Sequence, residues 1–480
     1  MADHTMAKQV MMLVPPVTLT YTVEGLASLI PIWLAGQSDP TGNPAVVEVR
    51  VAAVGLGNTA LTFVAFVLGS GWTGGQDTLV TQAFGRRDFE QARKHLHECQ
   101  VWLAIFSVLC TLLLLRIEGC LSYAGVADVQ TARLASEYVA ACIPGVWFQF
   151  QYDALRKFLL NQQLPSAALV VLLLNVPVQI ISCQVLLHTC GMSFMHALGL
   201  ANAFRAAVCF ACLAMYASIW CPHPSCVAWW KPWTSKDILS TGLARFARVG
   251  IQSTAMIAVD WLSFEVLTIL AGWLQDGPEL AAHVAAAGAS EYLFMLVRGA
   301  PKAATVLVGG ASGKGDVASA WKAVNACAVF SFTWSFVLVL ILRFGREQLV
   351  SLLMQDRGVA QDILKSLMPL VELQMVLDAA NCIVHGAHAG LGNHTQVTVG
   401  CILCCWFVQL PLAYVLGFRQ GWGVYGLRSA CAVGVALDLV YNLFLLHRCL
   451  QPHRFKMAGE MSTKAAAIDD IPVSEYSALR

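Results

Sequence analysis

The chain has 480 residues, a formal net charge of +1, 57% hydrophobic residues and only 12% charged ones, with a mean hydropathy of +0.63. Soluble domains run at about 25% charged residues, so a water-soluble enzyme is excluded, and the near-zero net charge argues against a nucleic-acid partner. The 17 cysteines sit mostly inside apolar stretches such as Cys401, Cys404 and Cys405, where a thiol is a small hydrophobe, so neither a disulfide framework nor a metal site is expected.

Six apolar blocks come first, at roughly 9–35, 50–82, 99–116, 134–155, 166–188 and 194–219. After a polar stretch at 220–239 come six more, at roughly 240–274, 281–310, 323–343, 364–391, 396–418 and 423–447. Each approximates the ~20 residues that a helix rising ~1.5 Å per residue needs to cross ~30 Å of hydrocarbon. The first block is long and lacks a small-residue cleavage site, so it reads as a retained span rather than a signal peptide. Residues 451–480 are polar and read as a disordered tail. An even number of spans puts both termini on one side of the bilayer. Lys and Arg number 20 on that side against 8 on the other, which makes it the cytoplasmic side.

The two halves look like copies. Ala83-Phe84-Gly85-Arg86-Arg87-Asp88 follows block two as Ala311-Ser312-Gly313-Lys314-Gly315-Asp316 follows block eight. Gly199-Leu200-Ala201 in block six likewise matches Gly426-Leu427-Arg428 in block twelve. Both matches are offset by six spans, an even number, so the halves share one orientation and are parallel repeats. The expected fold is an all-α integral membrane protein with twelve transmembrane helices in two six-helix lobes. The N-terminal lobe is 1–219, the cytoplasmic linker 220–239, the C-terminal lobe 240–450 and the tail 451–480.

Ionisable side chains inside spans are costly and face the bundle interior or a wet cavity. A carboxyl that takes up a proton, releases it and then attracts a cation is the minimal machinery of an antiporter. Asp260, in the middle of block seven, is the first candidate. Glu265 lies five residues on, about 140° further round a 3.6-residue helix, and so faces elsewhere. In block ten, Gln374, Asp378, Asn381 and His385 follow one another at i, i+4, i+7 and i+11, which is one helix face. Asp378 is its acid; Gln374, Asn381 and His385 would line a cavity or form a hydrogen-bonded seam. Asn175 and Gln179 form a shorter stripe in block five. Glu24 shares a face with Thr20, and Asp438 shares one with Asn442. Trp147, Tyr152 and Trp261 could hold a cationic solute by cation–π contact.

Several of these segments resemble the multidrug and toxic compound extrusion (MATE) family, in particular its eukaryotic branch. Gln76-Asp77-Thr78-Leu79-Val80-Thr81-Gln82-Ala83-Phe84-Gly85, Phe158-Leu159-Leu160-Asn161-Gln162, Asp260-Trp261-Leu262-Ser263-Phe264-Glu265 and Val308-Gly309-Gly310-Ala311-Ser312-Gly313-Lys314-Gly315-Asp316 carry the likeness. Gly390-Leu391-Gly392-Asn393 and Leu410-Pro411-Leu412-Ala413 extend it, over about residues 8–447. The resemblance implies a secondary antiporter that exports organic, often cationic, compounds in exchange for protons, with sodium as the alternative coupling ion. No cofactor is implied. It places the tenth-helix acid at Asp378 and the first acid of the seventh-helix motif at Asp260. The eighth-helix acid falls on Gly288, with Glu291 one turn on as the nearest carboxyl. Partners are then a small organic solute, the coupling ion and the bilayer, with the chain acting as a monomer in a plasma, vacuolar or vesicular membrane. A lipid-linked precursor flippase of the same superfamily is the rival within transport. A membrane-embedded enzyme is the rival from another class, disfavoured because no His-Asp pair, H-E-x-x-H or G-x-S-x-G is apparent at bilayer depth.

Overall fold

In hydrocarbon a chain must satisfy its own backbone polar groups, which long apolar windows achieve by winding into helices. The computed structural model describes residues 2–36, 44–123, 128–220, 241–274, 276–353, 358–453 and 455. Apart from residues 220, 451–453 and 455, the linker and tail read from the sequence lie outside the described residues. No strand occurs among the described residues.

Among the described residues, eleven segments are long and apolar enough to cross a membrane. They are Thr5–Ala35, Val46–Gly85, Phe89–Leu114, Ser166–His188, Phe194–Trp220, Gly242–Trp273, Gly277–Val297, Val317–Phe344, Val359–Leu391, His394–Arg419 and Gly423–Cys449. The remaining span, fourth in chain order, is Val129–Asn161; its Glu137, Asp153, Arg156 and Lys157 keep it from reading as uniformly apolar. With it the described spans match the twelve expected. The eighth span is longer than its apolar block and broken. Gly277–Val297 ends at Arg298, and a second helix, Gly299–Lys314, continues it. Pro301 explains the break, since it has no N–H to bond the carbonyl four residues back, at Val297.

The chain divides into two compact units. One comprises Thr22–Val80 and Asp88–Thr254; the other comprises Met1–Tyr21, Thr81–Arg87 and Ala255–Arg480. The second unit packs small residues against backbone. A Cβ on Gly85 would meet the Gly310 carbonyl, one on Gly313 the Gln82 carbonyl, one on Gly309 the Thr81 side chain, and one on Gly386 the Pro301 carbonyl. At Gly390 it would lie 2.7 Å from the Gly309 nitrogen, and Gln82 Nε2 donates to the Gly390 carbonyl at 3.0 Å. Bare backbones thus touch where the end of the second span, the second half of the eighth and the tenth meet. Lipid offers no hydrophobic drive between helices, so such close approach is what holds them.

The repeat seen in the residues recurs in the backbone. Arg87 and Gly315 both have positive φ (63° and 69°), as do Gln163 and Gly392 (65° and 81°) and Gly191 and Gly421 (62° and 71°). Each left-handed residue closes the corner after or before equivalent spans. Next to the first pair, Asp88 caps the third span by accepting from Gln91 N at 3.0 Å, and Asp316 caps the ninth by accepting from Ser319 N at 3.0 Å. The Ser319 hydroxyl and amide hold the Asp316 carboxyl below the usual carboxylate range.

Candidate functional site

In the unit containing Ala255–Arg480 the polar residues of the seventh, tenth, eleventh and twelfth spans converge. At the centre is Asp438, fully buried. Its Oδ2 accepts from Asn381 Nδ2 at 2.9 Å and lies 2.9 Å from His385 Nε2. Asn442 Nδ2 lies 3.1 Å from the same His385 nitrogen and donates to the Asp438 carbonyl at 2.9 Å. One proton, on Nε2 or on Oδ2, satisfies the His385–Asp438 contact. Asp438 Oδ1 is buried with no hydrogen-bond partner among the described residues. A His-Asp pair therefore does exist at span depth, correcting the sequence reading. It forms between residues 53 apart in the chain, a distance over which no local pattern speaks. The groups bonded to it are the amides of Asn381 and Asn442, which are not nucleophiles.

The stripe predicted in the tenth span divides between neighbours. Asn381 and His385 belong to the Asp438 network. Gln374 instead accepts from Arg428 Nη1 at 3.2 Å, and Arg428 Nη2 donates to the His283 carbonyl at 3.1 Å. Asp378 faces a small void shared with Ser290, Phe294, Val297 and Met375, next to the break in the eighth span. Asp260, partly buried, lies 3.8 Å from Cys401 Sγ and within electrostatic reach of His385 and Asp438. The indole of Trp406 donates to the Val259 carbonyl at 3.0 Å and pins the seventh span to the eleventh at that level. The eleventh span is π-helical from Ile402 to Gln409, a wider winding that is frequent at functional sites. Glu265 and Glu291 are exposed and within electrostatic reach of each other, away from this cluster. Trp261 is partly buried.

In the other unit a continuous polar chain runs through the first, fourth, fifth and sixth spans. Arg156 Nη1 pairs with Glu24 at 2.8 Å and its Nη2 with Asp153 at 3.1 Å. Gln149 donates to Asp153 at 3.1 Å. Arg205 donates to Gln149 at 3.3 Å, to Asn175 at 3.0 Å and to Asn202 at 3.0 Å. Lys157 lies 3.5 Å from Asp77, which also accepts from Asn161 at 3.0 Å. Arg156 and Lys157, two of the 20 charges counted on the cytoplasmic side, are buried within the fourth span; 18 against 8 remain without them. Glu24 is thus one end of an ion-pair network, and Asn175 is a partner of Arg205. Gln179 and Tyr152 are buried, each with a polar atom that has no partner among the described residues, Nε2 and the hydroxyl; the Arg156 guanidinium lies 5.7 Å from the Tyr152 ring centre. Trp147 is 40% exposed and packs edge-on against Phe148 and Phe210.

Asp438, Arg428, Asp77 and Arg205 carry these networks but rank low in the sequence. The i, i+4 spacing of Asp438 and Asn442 in an apolar helix was the available signal. Its meaning depended on the tenth span.

The MatE family model matches the chain in two stretches, residues 16–185 and 253–415, one in each half. Protein DETOXIFICATION 37 of Arabidopsis thaliana is 24% identical over 431 residues, covering 89% of this chain and 82% of its own length. Multidrug and toxin extrusion protein 1 of Homo sapiens is 24% identical over 434 residues, covering 90% and 74%. Among solved structures, the eukaryotic MATE transporter AtDTX14 superposes with a TM-score of 0.84 at 21% identity, covering 96% of this chain and all of that one. That likeness fixes the fold as the twelve-helix, two-lobe arrangement. With a family model covering both halves, the chain belongs to the MATE family of multi-pass membrane transporters and is not an enzyme.

Proposed function

We propose that the chain is a secondary active antiporter that exports organic, cationic compounds, xenobiotics or metabolites, in exchange for protons by alternating access. The His385–Asp438 pair carries this reading. A buried site that holds one proton, with Asp260 and Asp378 on neighbouring faces, can trade protons for a cation, and a ligand moves a transporter only through unequal affinity for its states. Asp260 and Asp378 are then the coupling acids, with Glu265, Glu291 and Glu24 in lesser roles; Gln374, Asn381, His385, Asn175, Gln179, Trp147, Tyr152 and Trp261 line the path. Relatives named for multidrug extrusion and multidrug resistance support an organic cargo. Imidazole in the acid cluster favours the proton over sodium, which prefers oxygen ligands alone. A flippase reading is weaker. Arg156 and Lys157 are matched by Glu24, Asp153 and Asp77, so no cationic cradle is left for a lipid phosphate there.

In proteoliposomes, an outward solute flux of a fluorescent organic cation should follow an imposed pH gradient and ignore sodium. Flux driven by sodium at matched pH would overturn proton coupling. The lobes 1–219 and 240–450, acting as one monomer, would alternate about the cytoplasmic linker 220–239, in a plasma, vacuolar or vesicular membrane. Epitope tags at either terminus and within 220–239 should react with antibody only after permeabilisation. Labelling of the linker tag on intact cells would overturn the proposed orientation.

A further inference from the structure

We infer that Cys401, Cys405 and Asp260 form a binding site for a thiophilic divalent cation of the Zn2+ or Cd2+ class. One ligand atom from each residue lies within 4.8 Å of the other two. In a tetrahedral site, bonds of about 2.3 Å to sulfur and about 2.0–2.2 Å to oxygen set ligand atoms about 3.5–4 Å apart, so small side-chain rotations close the set. Cys401 Sγ is already 3.8 Å from Asp260 Oδ1.

The elements hold these ligands in register. Cys401 and Cys405 are four residues apart on the eleventh span, hence on one face, and both are buried. Trp406, next to Cys405, bonds the carbonyl of Val259, next to Asp260. The seventh and eleventh spans therefore cannot slide apart at this level without breaking that bond. Asp260 is only partly buried, which gives an ion a way in. Two thiolates and a carboxylate are a soft, anionic donor set that favours Zn2+ and Cd2+ over magnesium or calcium. On binding, each thiol passes its proton to solvent and forms a metal–sulfur bond. No electron is transferred, and the fourth position is left for water. Three protein ligands with one open position differ from the closed four-ligand set of a structural site. The metal and the proton compete for the Asp260 carboxylate, but the binding titration involves no transport, so the site can fail while the proposed coupling stands, and the reverse.

The test is a Cd2+ titration of the purified full-length protein in detergent, read by the ultraviolet thiolate-to-cadmium band. Other thiols contribute to that band, so the comparison is with Cys401→Ser/Cys405→Ser, which should bind one Cd2+ fewer. Cys404→Ser should leave the titration unchanged. Asp260→Asn should weaken the site on the order of tenfold or more, since even outer-shell partners of a ligand cost that much. Equal stoichiometry and affinity in the double cysteine variant would overturn the site. Independently of any variant, X-ray absorption of wild type loaded with one equivalent of Cd2+ should show two sulfur neighbours together with oxygen. An all-oxygen shell would overturn it as well.

Discussion

Asp260→Asn should reach the membrane in normal amount, still bind solute, and lose proton-driven accumulation. Asparagine keeps the size and the hydrogen-bonding capacity of aspartate but cannot ionise. The surroundings of Asp260 tolerate the exchange, because its side chain contacts a thiol, Cys401, rather than a cation that would be stranded. A gradient of one pH unit is worth about 1.36 kcal/mol per proton, tenfold in a concentration ratio, so at that gradient the accumulation ratio should fall on the order of tenfold, towards equality. Asp260→Glu should keep part of the activity. The measurement is solute accumulation in proteoliposomes at a fixed pH gradient, beside equilibrium binding of the same solute. Normal accumulation by Asp260→Asn would make Asp260 structural and move the coupling role to Asp378, where the same substitution is the next test.

The second large effect concerns folding. Gly309→Val and Gly386→Val should fail to yield monodisperse protein in detergent. At both sites a Cβ would run into a neighbour: the Thr81 side chain for Gly309, and the Pro301 backbone carbonyl for Gly386. The Pro301 backbone cannot rotate away, and the Thr81 Cβ, 2.7 Å from the added Cβ at Gly309, is fixed to its own backbone, so the cost exceeds the ~1–3 kcal/mol usual for an overpacked core. Gly310→Ala is the matched control. It sits on the same helix as Gly309, and a Cβ there would have nothing within 4 Å; replacing a helical glycine by alanine should gain about 1 kcal/mol. Size-exclusion profiles and thermal unfolding in detergent separate the outcomes. A monodisperse Gly386→Val protein with unchanged thermal stability would refute the backbone-contact account.

How much of this was legible depends on whether a signal is local. Apolar length is local, and the twelve blocks became the twelve spans, with ends extended where polar residues continue the helix. The third span begins at Phe89 rather than near 99 because Asp88 supplies a cap well before the apolar run. Charge inside a span is also local, so Asp260, Asp378 and Glu24 stood out. Whether such a charge is matched is not local. Glu24 meets Arg156 across 132 positions and Asp438 meets His385 across 53, and nothing in either neighbourhood announces its partner. The single stripe read in the tenth span fell into two networks for the same reason, because Gln374 faces Arg428 while Asn381 faces Asp438. The π-helical winding of Ile402–Gln409 left no mark in composition at all.

The left-handed corners carry a record of their own. Arg87 against Gly315 and Gln163 against Gly392 count as mismatches when residues are compared, yet each pair shares the sign of φ, 228 and 229 positions apart. Gly191 and Gly421 repeat it at 230. In the first half two of the three corners carry a side chain, although one there costs about 1–2 kcal/mol. Handedness agrees between the halves where the letters differ, so the torsion signs act as a watermark of the repeat that the residue alphabet alone does not show.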